Sequence, residues 1–227
     1  MKAMILAAGR GERMRPLTDT TPKPLLRIRG RCLIEYHLER LVAEGFTDIV
    51  INHAYLGEQI EQTLGNGQRY GAKISYSSEG DTMLGTGGGI FHALPLLGDE
   101  PFLVVNGDIW CNFPFSCLVP HANTLAHLVL VNNPAHHLEG DFFLVNQKVH
   151  QIYQAGSARL TFSGIGTYHP ALFKDCKEGW FPLAPLIVKA MQTAQVSGEH
   201  FKGCWIDVGT PERLWQVERL LYPAGCS

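Results

Sequence analysis

A glycine turn and a cluster of cations stand together near the start of the chain, in LAAGRGERMRPLTDTTPKPL, residues 6–25. Gly9 and Gly11 follow an apolar run; Arg10, Arg13 and Arg15 come next, and Lys23 sits between Pro22 and Pro24. Bare backbone N–H groups backed by long cations suit a chain of phosphates, because they offer donors and positive charge without a steric clash. The loop is not a P-loop, which needs GxxxxGK[ST], and it is not a complete dinucleotide fingerprint, because Met14 stands at the third glycine position. A Rossmann oxidoreductase is therefore disfavoured.

A second glycine stretch, LGTGGGI at residues 84–90, opens a predicted helix. Consecutive glycines there are poor helix formers; they mark a flexible turn, or they let a flat ligand or a phosphate come very close. Glu79, just upstream in YSSEG, has the carboxylate that a nucleobase N–H needs, although an exposed glutamate by itself carries no such meaning. Asp108 in VVNGD and Asp207 in CWIDVGT each follow an apolar run and precede a turn. Each alone reads as a turn residue. Converging on one site, they would suit Mg²⁺, which takes one or two carboxylates and leaves its other positions to phosphate and water.

Other constellations carry less. His136-His137 lacks the i, i+4 spacing of a helical zinc pair and reads as a loop or sugar-contacting pair. Ser163 in TFSGIG imitates a hydrolase elbow only in part, because Thr161 replaces the first glycine. Cys32, Cys111, Cys117, Cys176, Cys204 and Cys226 form no C-x-x-C pair and read as reduced, mostly packed thiols of a cytosolic protein.

Such groups need a scaffold that gathers strand ends. Apolar runs at residues 3–7, 49–51, 74–76 and 102–105 predict buried strands. Ile34, Leu38, Leu41 and Val42 share one helical face that Gly45 closes, and residues 56–64 and 90–97 predict two further helices. This alternation predicts a parallel sheet covered on both faces, with ligands at the carboxyl ends of the strands, where AAGRG and NGD fall. The second half predicts a hairpin, 142–145 with 149–153 around Asn146-Gln147-Lys148, then strands at 160–168 and 201–207. Thr210 as N-cap, Pro211 and Glu212 mark the start of a last helix.

The whole chain sets outer bounds. Its 227 residues suit one large α/β domain, and 45% hydrophobic with 18% charged residues describe a globular protein. A net charge of −2 argues against nucleic acid as the main partner. Residues 10–31 nevertheless carry +5, leaving −7 elsewhere, and the glycine loop inside that basic stretch favours an anion site. The first apolar stretch is ended by Arg10 and is too short for export, and no run approaches the roughly 18 apolar residues of a membrane span.

Together these residues resemble the sugar-phosphate nucleotidyltransferases, whose signatures LAAGxGxRxxPLT…PKP, NGD and WxDxGT occur here in order, from Met1 to about Leu221. The segments TGGGIFHALPLLG, NPAHHLEGDF, LTFSGIGTYHPALF and VSGEHFKGCWIDVGTPERL are similar to a branch that uridylylates N-acetylmuramate α-1-phosphate. The resemblance implies an α/β fold with a Rossmann-like, mostly parallel mixed sheet flanked by helices. It implies one domain over residues 1–227, with a nucleotide-binding half at about 1–110 and a sugar-binding half at about 111–227. Arg13 and Lys23 would be the cations on the triphosphate, and Asp108 and Asp207 the Mg²⁺ ligands. Ala8, Gly9, Gly11, Glu79, Gly85 and Gly88 would surround the nucleoside; Gly140, Asp141 and Gly164 would face the sugar. One departure is YQAGSAR, where many relatives have a Glu-Lys pair that holds the sugar and its phosphate. No appended β-helix, and so no acetyltransferase activity, is expected.

The expected reaction is Mg²⁺-dependent transfer of a uridylyl group from UTP to a sugar 1-phosphate, with no nucleic-acid or membrane partner, in a cytoplasmic monomer or small homo-oligomer. The alternatives are a guanylyltransferase for mannose or heptose 1-phosphate and a non-catalytic nucleotide-sugar sensor of the same fold.

Overall fold

Runs of β-branched and large apolar residues need cover on both faces, and the first half of the chain supplies it by alternating strand and helix. In the computed structural model, which describes residues 1–80, 82–118 and 123–222, β1 (Ala3–Leu6) leads into the glycine loop. A small ribbon of β2 (Arg27–Ile28) and β3 (Arg31–Cys32) precedes α1 (Leu33–Ala43). Then come β4 (Asp48–His53), α2 (Gly57–Leu64), β5 (Lys73–Ser78), α3 (Gly85–Leu97), β6 (Phe102–Asn106) and β7 (Ile109–Cys111). The second half holds β8 (Ala126–Val131), β9 (Phe142–Val145), β10 (Lys148–His150), β11 (Ala158–Tyr168), α4 (Ala184–Met191), β12 (Val196–Phe201), β13 (Trp205–Asp207) and α5 (Pro211–Leu220).

The main sheet has the order β5-β4-β1-β6-β11-β8-β12-β10-β9. It is parallel from β5 to β6, after which β11 enters antiparallel between β6 and β8. The chain leaves β1 on the β4 side and returns beyond it at β6. The crevice past the carboxyl end of β1 is therefore a topological switch point, where ligands bind in such sheets. Ile34, Leu38 and Leu41 of α1 and Ile60 and Leu64 of α2 cover one face. Ile90, Ala93 and Leu97 of α3 and Ile187 and Ala190 of α4 cover the other. A third cluster joins Met14 to Ile28, Leu33, Ile206, Val208, Leu214 and Val217. Met14 is fully buried there, so the residue that spoils the dinucleotide fingerprint anchors the glycine loop to β13 and α5, with about 2 kcal/mol from its burial.

Several boundaries differ from the sequence pattern. Asn146 and Gln147 both have positive φ, 49° and 59°, as a two-residue hairpin turn requires. The return strand therefore starts at Lys148 and pairs only to His150, leaving Ile152 and Tyr153 exposed. The strand expected at 201–207 is two strands in two sheets. β12 pairs with β8, whereas β13 pairs with β7, because the chain must leave the main sheet to set Asp207 beside Asp108. Pro182 and Pro185 conceal α4 in the sequence, although Pro185 falls in the first turn, where its missing N–H costs nothing. Cys32 and Cys111 are buried free thiols, whereas Cys117 is exposed; Cys226 lies outside the described residues.

Candidate active site

The carboxyl ends of β1, β4, β5 and β6 open onto a cleft of about 230 Å³ whose lining includes Ala8, Gly9, Lys23, Asn52, Glu79, Gly85 and Asp108. Glu79 is not the exposed glutamate of the sequence reading. It is 9% exposed, its Oε1 accepts from Asn52 Nδ2 at 2.6 Å, and its Oε2 accepts from the Leu84 N–H at 2.7 Å. Asn52 Oδ1 in turn accepts from the Ala7 N–H at 3.0 Å. One chain of hydrogen bonds thus fixes the glycine loop, β4, β5 and the start of α3 around the cleft. Asn52 was missed; its signal was a polar residue ending the apolar run of β4.

Lys23 is also buried, at 7% exposure, and its Nζ donates to Asp108 Oδ2 at 2.8 Å. Although Lys23 lies in a loop, Pro22 and Pro24 frame a tight turn at Lys23–Leu25 that folds the side chain inward. Gly11 makes room for it. Its φ is +65°, and a Cβ there would lie 3.1 Å from Lys23 Cβ. Gly11 does not line the cleft; its absent side chain serves the lysine.

A second cleft, of about 360 Å³, shares Asn106 and Asp108 with the first and adds Arg13, His136, His137, Gly164 and Asp207. β13 runs antiparallel to β7 with Asp207 opposite Ile109, and the Val208 N–H donates to the Asp108 carbonyl at 2.8 Å. The two aspartates therefore stand side by side. Asp207 Oδ2 accepts from Arg213 Nη1 at 3.0 Å. That nitrogen also lies 2.6 Å from His136 Nε2, and because a guanidinium only donates, His136 Nε2 is the acceptor. Burial and then the Arg213 charge lower the His136 pKa, against an opposing pull from Asp207. Arg13 is exposed and has no ion-pair partner among the described residues.

The sugar-side expectations divide. Gly164 lines the second cleft at a bulge in β11; its φ is +79°, and a Cβ would lie 2.6 Å from Asn106 Cγ. Asp141 stands behind the lining. Its Oδ1 pairs with His137 Nε2 at 2.9 Å and its Oδ2 accepts from the Phe162 N–H at 2.8 Å. Gly140, with φ +64°, packs against Asn133 and Leu160 outside the cleft. The Ser163 hydroxyl donates to the Val129 carbonyl at 2.7 Å, leaving no free nucleophile.

The glycine triad serves the protein's own chain. Gly87 and Gly88 donate their N–H groups to the Phe181 carbonyl at 3.0 and 3.1 Å. A Cβ on Gly88 would overlap the Gly179 carbonyl, and one on Gly89 would overlap Glu79 Oε1. Gly88 therefore does not line the first cleft but a separate one beside Glu79, Leu84 and Gly179, and the helix start is capped by backbone. Only Gly85 and Thr86 reach the first cleft, beside Trp180. Trp180 is 68% exposed at its rim and was not anticipated, because a single tryptophan in KEGWFPL carries no pattern.

Beneath β7, His37 of α1 is fully packed and its Nε2 bonds the Ile109 carbonyl at 2.7 Å, which fixes the proton on Nε2. Burial lowers its pKa from 6.5 to about 4. The unfolded chain thus binds this proton more tightly than the folded one. The corresponding stability is intact above pH 6.5 and is lost as pH falls from 6.5 toward about 4, by at most about 1.4 kcal/mol per pH unit. Urea titrations at pH 7 and pH 5 should show this slope, and His37→Gln, which keeps a donor but does not titrate, should flatten it.

Among the described residues no group of three or more His, Cys, Asp or Glu is arranged to hold a metal by itself. A cation here would rest on the two carboxylates and on ligand oxygens. That donor set, hard and incomplete, fits Mg²⁺.

The family described as "Nucleotidyl transferase" matches residues 2–153. The chain is 52% identical over 226 residues to N-acetylmuramate alpha-1-phosphate uridylyltransferase of Neisseria meningitidis serogroup B, covering 97% of this chain and 98% of that protein. It is 33% identical to the Caulobacter vibrioides protein of the same name, covering 98% and 97%. The fold is also that of HddC from Yersinia pseudotuberculosis complexed with GMP-PN, with a TM-score of 0.81, 22% identity and coverage of 97% and 99%.

Proposed function

The chain belongs to the nucleotidyl transferase family, and from that premise we propose that it transfers a uridylyl group from UTP to N-acetylmuramate α-1-phosphate, giving UDP-N-acetylmuramate and pyrophosphate. The observation that carries this reading is the junction of two clefts at Asp108 and Asn106. One cleft is framed by the glycine loop and Glu79, the other by Arg13, Asp207 and the His136-His137 loop. A nucleotide in the first and a sugar phosphate in the second would meet where Lys23 stands.

The sugar phosphate oxygen attacks the α-phosphorus of UTP, and the bond to the β-phosphate oxygen breaks in line. The attacking phosphate has a second pKa near 6, so it is already an oxyanion at neutral pH and needs no general base. This residue set then works by alignment and charge. Arg13 and Lys23 bind the phosphates and stabilise the departing pyrophosphate. Ala8, Gly9, Gly85 and Glu79 hold the nucleoside; Gly164 borders the sugar, with Asp141 fixing His137 beside it. Asp108 and Asp207 would hold Mg²⁺, which supplies Lewis-acid stabilisation of phosphate charge when bound. The same reading includes a cytoplasmic role in recycling cell-wall sugars; among the described residues, no helix is long and apolar enough to cross a membrane.

The test is pyrophosphate release over a matrix of UTP, GTP, CTP and dTTP against N-acetylmuramate, N-acetylglucosamine, mannose and heptose 1-phosphates. Release is expected chiefly with UTP and N-acetylmuramate 1-phosphate. Preference for GTP with mannose or heptose 1-phosphate would replace this reading with a guanylyltransferase, and no release with any pair would leave a sensor.

A further inference from the structure

Arg213 takes no part in the transfer chemistry proposed above, yet it occupies an unusual position. It lies in the first turn of α5, where the helix dipole disfavours a cation. Its side chain is only 14% exposed, and Nε is buried without a hydrogen-bond partner among the described residues. A buried guanidinium with an orphaned donor is costly unless something answers it. Its guanidinium bonds Asp207 and His136, which both line the second cleft, and so stands directly behind that lining.

Gly209 shows what converges there. A Cβ on this residue would overlap Arg213 Nη2 and would lie 3.1 Å from both Arg13 Nη2 and Asp207 Oδ1. Two guanidinium groups thus approach one another across a bare backbone with a single carboxylate between them. Asp207 is ion-paired with Arg213 at 3.0 Å, whereas the Arg13 charge beside it has no ion-pair partner among the described residues. His136 Nε2 accepts from Arg213, so that nitrogen has no proton to offer an anion.

We infer that Arg213 reads an oxyanion of the acceptor sugar and so sets acceptor specificity. The inference rests on the proposed transfer reaction. The acceptor carries two such groups, the 1-phosphate and the lactyl carboxylate at C3, and a guanidinium matches either with a two-pronged contact.

The test compares wild type, Arg213→Gln and Arg213→Lys at saturating UTP and Mg²⁺, with N-acetylmuramate 1-phosphate and N-acetylglucosamine 1-phosphate as acceptors. Arg213→Gln should raise the acceptor KM about tenfold or more, Arg213→Lys should recover part of it, and KM for UTP should hold. A rise for the muramate substrate alone assigns the carboxylate; an equal rise for both assigns the phosphate. Unchanged acceptor KM values with a lower kcat and a higher Mg²⁺ requirement would overturn the inference, reducing Arg213 to a support for Asp207. Melting curves establish that the variants are folded, the lysine variant keeping the charge. Wild-type turnover in the same assay tests the transfer reading separately. Calorimetric binding of N-acetylmuramate 1-phosphate to wild type and Arg213→Gln reads the inference without turnover; equal affinities would overturn it.

Discussion

Replacing Lys23 by alanine is expected to lower kcat/KM for UTP by about 10²–10³-fold while the protein stays folded. Lys23 Nζ stands 2.8 Å from Asp108 Oδ2 where the two clefts meet. Its charge is therefore preorganised toward the phosphates at no cost during reaction. The stability loss is much smaller. The Asp108 side chain is 40% exposed, so water screens the pair, which contributes about 1 kcal/mol or less. Loss of the buried stem brings the total to about 2 kcal/mol. Pyrophosphate release and a melting curve on one preparation separate the effects. A folded variant with near-parental kcat/KM would remove Lys23 from the chemistry. Lys23→Arg should not restore activity, since a planar guanidinium does not reproduce the compact ammonium that meets Asp108 Oδ2 at 2.8 Å.

The second large effect concerns the carboxylates. Asp108→Asn and Asp207→Asn each remove one negative charge at nearly constant volume, and each should raise the Mg²⁺ requirement about tenfold or more and cut kcat. EDTA should abolish activity in the parent, and Mg²⁺ should restore it. The two variants differ in side effects. Asp108→Asn leaves Lys23 beside a half-exposed amide. Asp207→Asn leaves a mostly buried Arg213 facing a neutral group, which should cost about 1–3 kcal/mol. Mn²⁺ binding measured by calorimetry with UTP present checks the assignment without turnover. Wild-type affinity in either variant would return that residue to a structural role in its turn.

Much of this organisation is written locally. The apolar runs of β1, β4, β5 and β6, the helical face of Ile34, Leu38 and Leu41, and the Thr210-Pro211-Glu212 helix start depend on neighbours a few residues away, so periodicity and capping chemistry expose them. The chemical inventory is legible for the same reason, since a phosphate site needs glycines and cations whatever the surrounding fold. Arg13, Lys23, Asp108 and Asp207 were all named from their flanking residues.

What the sequence alone determined, then, was the alternating scaffold, the polar residues at its strand ends and the kind of ligand they suit. Tertiary structure decided what each of those residues faces. Asp108 and Asp207 meet because β13 leaves the main sheet to pair with β7. Lys23 turns inward because Gly11 leaves space, and Glu79 is buried because Asn52 and Leu84 bind it. Gly87, Gly88 and Gly89 accommodate the 179–181 segment and Glu79, although their sequence reads equally well as a phosphate cradle. A glycine records only that something must come close. Whether that neighbour is a ligand or another part of the same chain depends on contacts between residues far apart in sequence, and local pattern carries no information about those.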